Sequence, residues 1–143
     1  MEYRKFGDTY VLRLDRGEEI VSSLVELSSK ENVCLAAVEG LGAADHVVVG
    51  LYDVGSRVYH KTELTGPMEI TSLTGSITRK DGKPYLHLHI NVCNQQMQVF
   101  GGHLNECRIS ATAEIFIREV PGEVGRRLDE EVTGLNLFRF LEK

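Results

Sequence analysis

The chain has 143 residues, 42% hydrophobic and 26% charged, and a formal net charge of −5. This length supports one domain with a core, expected over residues 1–143. The acidic balance opposes non-specific nucleic-acid binding, which needs Lys and Arg against phosphate, and no apolar run approaches the ~20 residues that span a membrane.

Met1 to Lys5 leads into no signal-like apolar region. Cys34, Cys93 and Cys107 are odd in number and form no CxxC pattern. A cytoplasmic protein with reduced thiols is the simplest expectation. Tyr10–Leu14 alternates and reads as a first strand. Ile20, Val21, Leu24, Val25 and Leu27 then place an apolar stripe at helical spacing, predicting a helix from about Glu18 to Lys30. Glu18 and Glu19 would occupy its first turn, at the positive end of the helix dipole.

Val33–Val38 is a short apolar run, suited to a strand buried on both faces. Gly40 and Gly42 allow a tight turn or a bulge. They make no dinucleotide fingerprint, because a third glycine is missing and a strand follows. Further strands are expected at Ala44–Asp53, at Val58–Leu64 on an edge, and at Met68–Ile77, with Gly66-Pro67 as a break between the last two. Thr78–Pro84 reads as a charged hairpin loop with an Asp-Gly turn.

Tyr85–Val92 carries the densest chemistry. Leu86, Leu88, Ile90 and Val92 point one way; Tyr85, His87, His89 and Asn91 point the other. Histidines at i and i+2 sit roughly 6.6 Å apart along a strand, close enough for both rings to converge on one ion. Asn94-Gln95-Gln96 reads as a three-residue loop, with Met97–Phe100 returning beside this strand. In that register Cys93 opposes Met97, His89 opposes Gly101, and His87 opposes His103, so all three imidazoles share a face. Cys93 is assigned to the Leu86 face, away from the histidines. A one-residue slip would move His103 across the sheet. The competing reading is polar side chains covering a solvated sheet face.

Asn105–Arg108 reads as a polar connection and Ser110–Ile117 as a strand. Gly125–Glu131 reads as irregular, and Leu135–Phe140 as a closing strand. The sum is α+β: a bent, mostly antiparallel sheet of about seven strands with one packing helix.

Laid out in order, Gly40-Leu41-Gly42-Ala43, Glu69–Ile77, His87-Leu88-His89, Gly101-Gly102-His103 and Thr133–Leu137 resemble the PPC domain, the domain of unknown function shared by plants and prokaryotes. The resemblance covers nearly the whole chain and points to the stand-alone prokaryotic type. It implies a homotrimer and a DNA-binding or regulatory role. In plant members the domain follows an AT-hook, an Arg-Gly-Arg-Pro segment that is absent from this sequence, so kinship alone suggests DNA as a partner.

The histidine pattern is also similar to the zinc site of acetolactate decarboxylase. That resemblance implies His87, His89 and His103 as metal ligands, zinc first, and Glu69 as a candidate acid/base group. A structural carboxylate in a polar interface is the competing reading for Glu69. No complete catalytic set is readable, so a binding or regulatory module is preferred. The alternative is a small metal-dependent enzyme, of lyase or hydrolase type, acting on an oxygenated small-molecule ligand.

Overall fold

Eight strands and one helix follow one another in the computed structural model, which describes residues 1–140. In chain order they are β1 (Glu2–Phe6), β2 (Thr9–Asp15), α1 (Ile20–Lys30), β3 (Ala36–Asp53), β4 (Val58–Lys80), β5 (Lys83–Cys93), β6 (Val99–Glu119), β7 (Val124–Leu128) and β8 (Asn136–Phe140). Every strand pairing is antiparallel. The main sheet runs β1-β2-β6-β3-β4-β5, and β6 also pairs with β5. Strands β3, β4, β5 and β6 therefore close on themselves, while β7 and β8 form a separate ribbon.

The expected α+β class holds, with eight strands against about seven expected, and several run longer than the glycines and prolines suggested. The Gly40–Ala43 stretch does not divide two strands. It lies inside β3, with register shifts at Gly40/Gly42 and Ala44/His46. Gly66-Pro67 does not break β4 either. Ala44 opposes Met68 and His46 opposes Thr65, so Gly66 and Pro67 together face the single residue Asp45. That is a bulge, where a proline lacking its N–H costs the ladder nothing. Asn105–Arg108 likewise lies within β6: Glu106, Cys107 and Arg108 pair with Val48, Val47 and His46.

Three local expectations change at the ends of elements. Helix α1 starts at Ile20, so Glu18 and Glu19 precede it. Glu19 acts instead as its N-cap, accepting from Val21 N at 2.8 Å and Ser22 N at 2.7 Å. The 78–84 hairpin loop contracts to Asp81-Gly82, both with positive φ (51° and 75°), as a tight two-residue turn requires. Gly125–Glu131, expected to be irregular, contributes most of β7.

Ile20, Leu24 and Leu27 of α1 are fully buried, as are Leu88, Ile90 and Val92 of β5, to within 2%. They join Ile109, Ile115 and Ile117 of β6 in one core. Burying each such side chain contributes on the order of 1.5–3 kcal/mol. That burial fixes which face of β5 turns inward, and therefore which face carries the histidines outward.

Candidate metal centre

Leu88, Ile90 and Val92 are buried while His87, His89 and Asn91 are exposed, so β5 alternates as its sequence predicts. The turn into β6 differs from expectation. It has five residues, Asn94–Gln98, rather than three. The Asn94 side-chain carbonyl accepts from Gln96 N and Gln98 N, each at 3.0 Å. Its backbone N–H donates to Gln98 O at 3.1 Å, and Met97 takes a φ of 59°. Asn94 thus organises a wider loop than its length in sequence suggests.

The ladder shifts accordingly. Cys93 opposes Val99, Asn91 opposes Gly101, and His89 opposes His103. The expected partners Met97, Gly101 and His103 for Cys93, His89 and His87 are each displaced by two positions. An even shift preserves the face of every side chain, so the three histidines still converge. Gly101 makes room for Asn91 instead of His89: a Cβ there would lie 2.1 Å from Asn91 Oδ1. Cys93 continues the histidine side of the alternation, not the Leu86 side. It sits at the loop, with Sγ 3.8 Å from Met97 Sδ.

The ring centroids of His87 and His89 are 5.3 Å apart, those of His87 and His103 5.4 Å, and those of His89 and His103 5.6 Å. One nitrogen from each ring lies within 4.8 Å of the others. Tetrahedral ligands at about 2.0–2.1 Å from an ion also stand within that limit of one another. No described side chain competes for these ring nitrogens by hydrogen bonding. Desolvation pushes the His87 pKa below the ordinary imidazole value, with His89 and Arg126 adding to the effect. His103 is lowered too, first by desolvation and then by His87 and His89. Neutral imidazoles are the ligand form. The triad fits a divalent ion.

Above the triad opens a pocket of about 790 Å³, within the range of small-molecule sites. Its wall includes Tyr59, His60, Tyr85, Arg126, Asn136 and Phe138. Tyr59 meets the His103 ring edge-on at 6.1 Å. It reaches there because Gly50, opposite His103, has no side chain: a Cβ would stand 2.0 Å from the Tyr59 hydroxyl. Sequence reasoning singled out neither Tyr59 nor Arg126. The Thr133–Leu137 motif was the nearest signal, since Asn136 and Leu137 share that wall.

Glu69 stands elsewhere. It is exposed and opposes Cys93, about 13 Å along β5 from His89. It does not line the pocket.

A family model described as the Plants and Prokaryotes Conserved (PCC) domain matches residues 1–121. The chain belongs to this family. Among PCC relatives of known structure, it is similar to a plant- and prokaryote-conserved protein from Pyrococcus horikoshii, 31% identical, covering 99% of this chain and 97% of that one, with a TM-score of 0.86. A metal-containing protein from Archaeoglobus fulgidus is 34% identical over 97% of each chain, with a TM-score of 0.86. A Bacteroides thetaiotaomicron protein, whose name offers DNA binding as a candidate role, is 25% identical over 97% of this chain and 96% of its own, with a TM-score of 0.94.

The bifunctional protein GlmU of a Synechococcus strain is 30% identical over 128 residues, 87% of this chain. The PCC chain spans only 19% of that curated relative's length. Acetolactate decarboxylase from Bacillus subtilis shares the fold, at 13% identity and a TM-score of 0.57, over 81% of this chain and 54% of that one.

Proposed function

We propose that this PCC-domain protein is a homotrimer that holds a divalent ion, zinc first, on His87, His89 and His103, and binds a small oxygenated ligand in the pocket above. The observation carrying this reading is the convergence of three ring nitrogens within 4.8 Å in the wall of a 790 Å³ pocket. Imidazole-only donor sets suit borderline ions such as zinc, nickel or copper. The Archaeoglobus relative named as metal-containing supports the same reading. A bound ion with three protein ligands would supply a Lewis acid at an open position.

Binding is favoured over catalysis by what lines the pocket. Among the described residues the lining has no carboxylate, and Glu69 lies away from it. Metal-dependent lyase or hydrolase chemistry, the alternative, would need its proton carrier from Tyr59, His60 or another subunit. Self-association is supported by large apolar side chains left open on the surface, among them Leu51 and Phe6, each 65% exposed. The regulatory, DNA-associated reading rests on the names of relatives, and the charge of −5 argues against it.

The test is metal analysis of dialysed wild type and His89→Ala. About one equivalent of metal per chain in wild type and a sharp loss in the variant are expected. Equal retention removes the site.

A further inference from the structure

Tyr59 of β4 and Gly50 of β3 lie on the same sheet face as His103. Gly50 opposes both Lys61 and His103, and Tyr59 stands two residues from Lys61. Gly50, Tyr59 and His103 all line the pocket. The Tyr59 ring folds over the bare Gly50 backbone: the position a Cβ would take there is 2.0 Å from the phenol oxygen and 2.1 Å from Cζ. The phenol is thereby set beside the third histidine, with ring centroids 6.1 Å apart. Tyr59 remains 37% exposed, and its hydrogen bond with Asn105 is exposed as well.

Asn105 sets the direction of that hydrogen bond. Val49 pairs with Leu104 and Val48 with Glu106, so Asn105 is the extra residue of a bulge in β6, a device that re-aims a side chain. Asn105 Nδ2 lies 2.6 Å from the Tyr59 oxygen and 3.2 Å from the His103 carbonyl oxygen. A carbonyl oxygen only accepts, which fixes this end of the amide as nitrogen. The phenol oxygen is therefore an acceptor from Asn105, and its own proton must point elsewhere. Tyr59 donates to no other group among the described residues. It holds an unused donor on the triad's side of the pocket.

We propose that Tyr59 is a ligand-binding residue of this pocket: its O–H donates to the oxygen that a small carbonyl compound turns toward the triad, and Asn105 is the positioning residue that frees that proton. The part played by the triad rests on the metal-site reading above; the donor direction rests on Asn105 and the His103 carbonyl alone. This arrangement selects for chemistry. An atom that faces a bound ion and a phenol proton together needs two lone pairs, which a carbonyl oxygen has and an imidazole or amine nitrogen lacks. Leu135, Leu137 and Phe138 line the same pocket and offer apolar wall to the rest of the molecule.

The test uses the whole chain, zinc-loaded and EDTA-stripped. Acetohydroxamate is the carbonyl probe, and imidazole is a zinc ligand whose coordinating atom cannot also accept the phenol proton. Calorimetry gives affinities, and the Tyr59 Cζ resonance reports the hydrogen bond. Acetohydroxamate should shift that resonance in both forms and bind more tightly with zinc. Tyr59→Phe keeps the ring over Gly50 and should hold zinc at the wild-type level. It should lose at least about fivefold in acetohydroxamate affinity and change imidazole affinity by less than about twofold. Asn105→Asp keeps the shape but can only accept, so it draws the phenol proton to itself and should lose acetohydroxamate affinity with the hydroxyl still present. If wild type retains no zinc, the metal-site reading fails, and the resonance in the stripped form still decides the role of Tyr59. Equal acetohydroxamate affinity in wild type and Tyr59→Phe, an equal loss for both probes, wild-type affinity in Asn105→Asp, or an unmoved Tyr59 resonance overturns the proposal.

Discussion

His89 and His103 are direct partners across β5 and β6, with ring centroids 5.6 Å apart. This pairing joins residues fourteen positions apart in sequence and depends on a loop held by Asn94. His87 completes the triangle from the adjacent same-face position. Each histidine is therefore expected to matter for metal retention. His87→Ala and His103→Ala should lower metal content per chain as His89→Ala does, while Cys93→Ala should leave it unchanged. In the metal-free protein the cost of either exposed substitution, at His87 or His89, should stay within about 0.5 kcal/mol. Metal content by elemental analysis and urea midpoints of the stripped proteins check both halves.

A pH dependence follows from the lowered pKa values of His87 and His103. Above the ordinary imidazole value of about 6.5 both rings are neutral whether folded or unfolded, and stability is unaffected. Below it the unfolded chain takes up protons that the folded chain resists, so stability falls as pH falls toward the lowered folded values. The stripped wild type should lose more urea stability between about pH 7.5 and pH 5.5 than the double variant His87→Ala, His103→Ala. An identical loss in both proteins would remove the two rings as the cause.

The α+β class, the helix and the histidine strand were legible because each rests on local periodicity that burial enforces. Ile20, Leu24 and Leu27 recur at helical spacing, and Leu88, Ile90 and Val92 alternate; all are buried. What sequence concealed was non-local. Gly66-Pro67 reads locally as a stop, but opposite Asp45 it is a bulge within one strand. The Asn94 loop length depends on side-chain hydrogen bonds to Gln96 and Gln98 that no periodicity reports. The three histidines share a face despite that error because a shift of two positions leaves each face intact. Arg126 was missed because Tyr85, on β5, meets it only in the folded chain, and because the β7–β8 pairing that sets Phe138 opposite it was not anticipated.

Assembly gives a third expectation. Phe100 and Phe116 on β6 and Leu41 and Leu51 on β3 remain exposed in the single chain, more apolar surface than α1 can cover. Light scattering at micromolar concentration should return about three times the chain mass. A clean monomer would contradict the proposed trimer.

The chain should bind duplex DNA weakly at physiological salt. Its net charge is −5, and counterion release needs a cluster of cations against phosphate. Arg13, Lys5 and Arg108 are each engaged by neighbouring carboxylates. A fluorescence titration at about 150 mM salt should show no submicromolar, sequence-selective binding; finding it would revive the role suggested by the relatives' names.

The last expectation concerns how β4 supports the site. Gly75 opposes Leu88, between the two histidines of β5. A Cβ at Gly75 would lie 2.1 Å from the His87 carbonyl oxygen and 2.8 Å from the Leu88 Cα. Both are backbone atoms, so no side-chain rotation relieves the clash. Gly75→Ala must push β5 away from β4 at the point where His87 and His89 are held. A loss of more than about 3 kcal/mol is expected, the size reached when packing is strained in a core. Gly66→Ala is the informative comparison. Gly66 has a φ of 100° and nothing within 4 Å of the added carbon, so its penalty is backbone strain alone, about 1 kcal/mol. Urea unfolding ranks the two, and metal content of the folded fraction shows where the damage falls. Gly75→Ala should lower metal retention even under conditions where it remains folded, and Gly66→Ala should not. Equal stability of the two variants would mean that β4 and β5 are less closely apposed than the register of Gly75 and Leu88 requires.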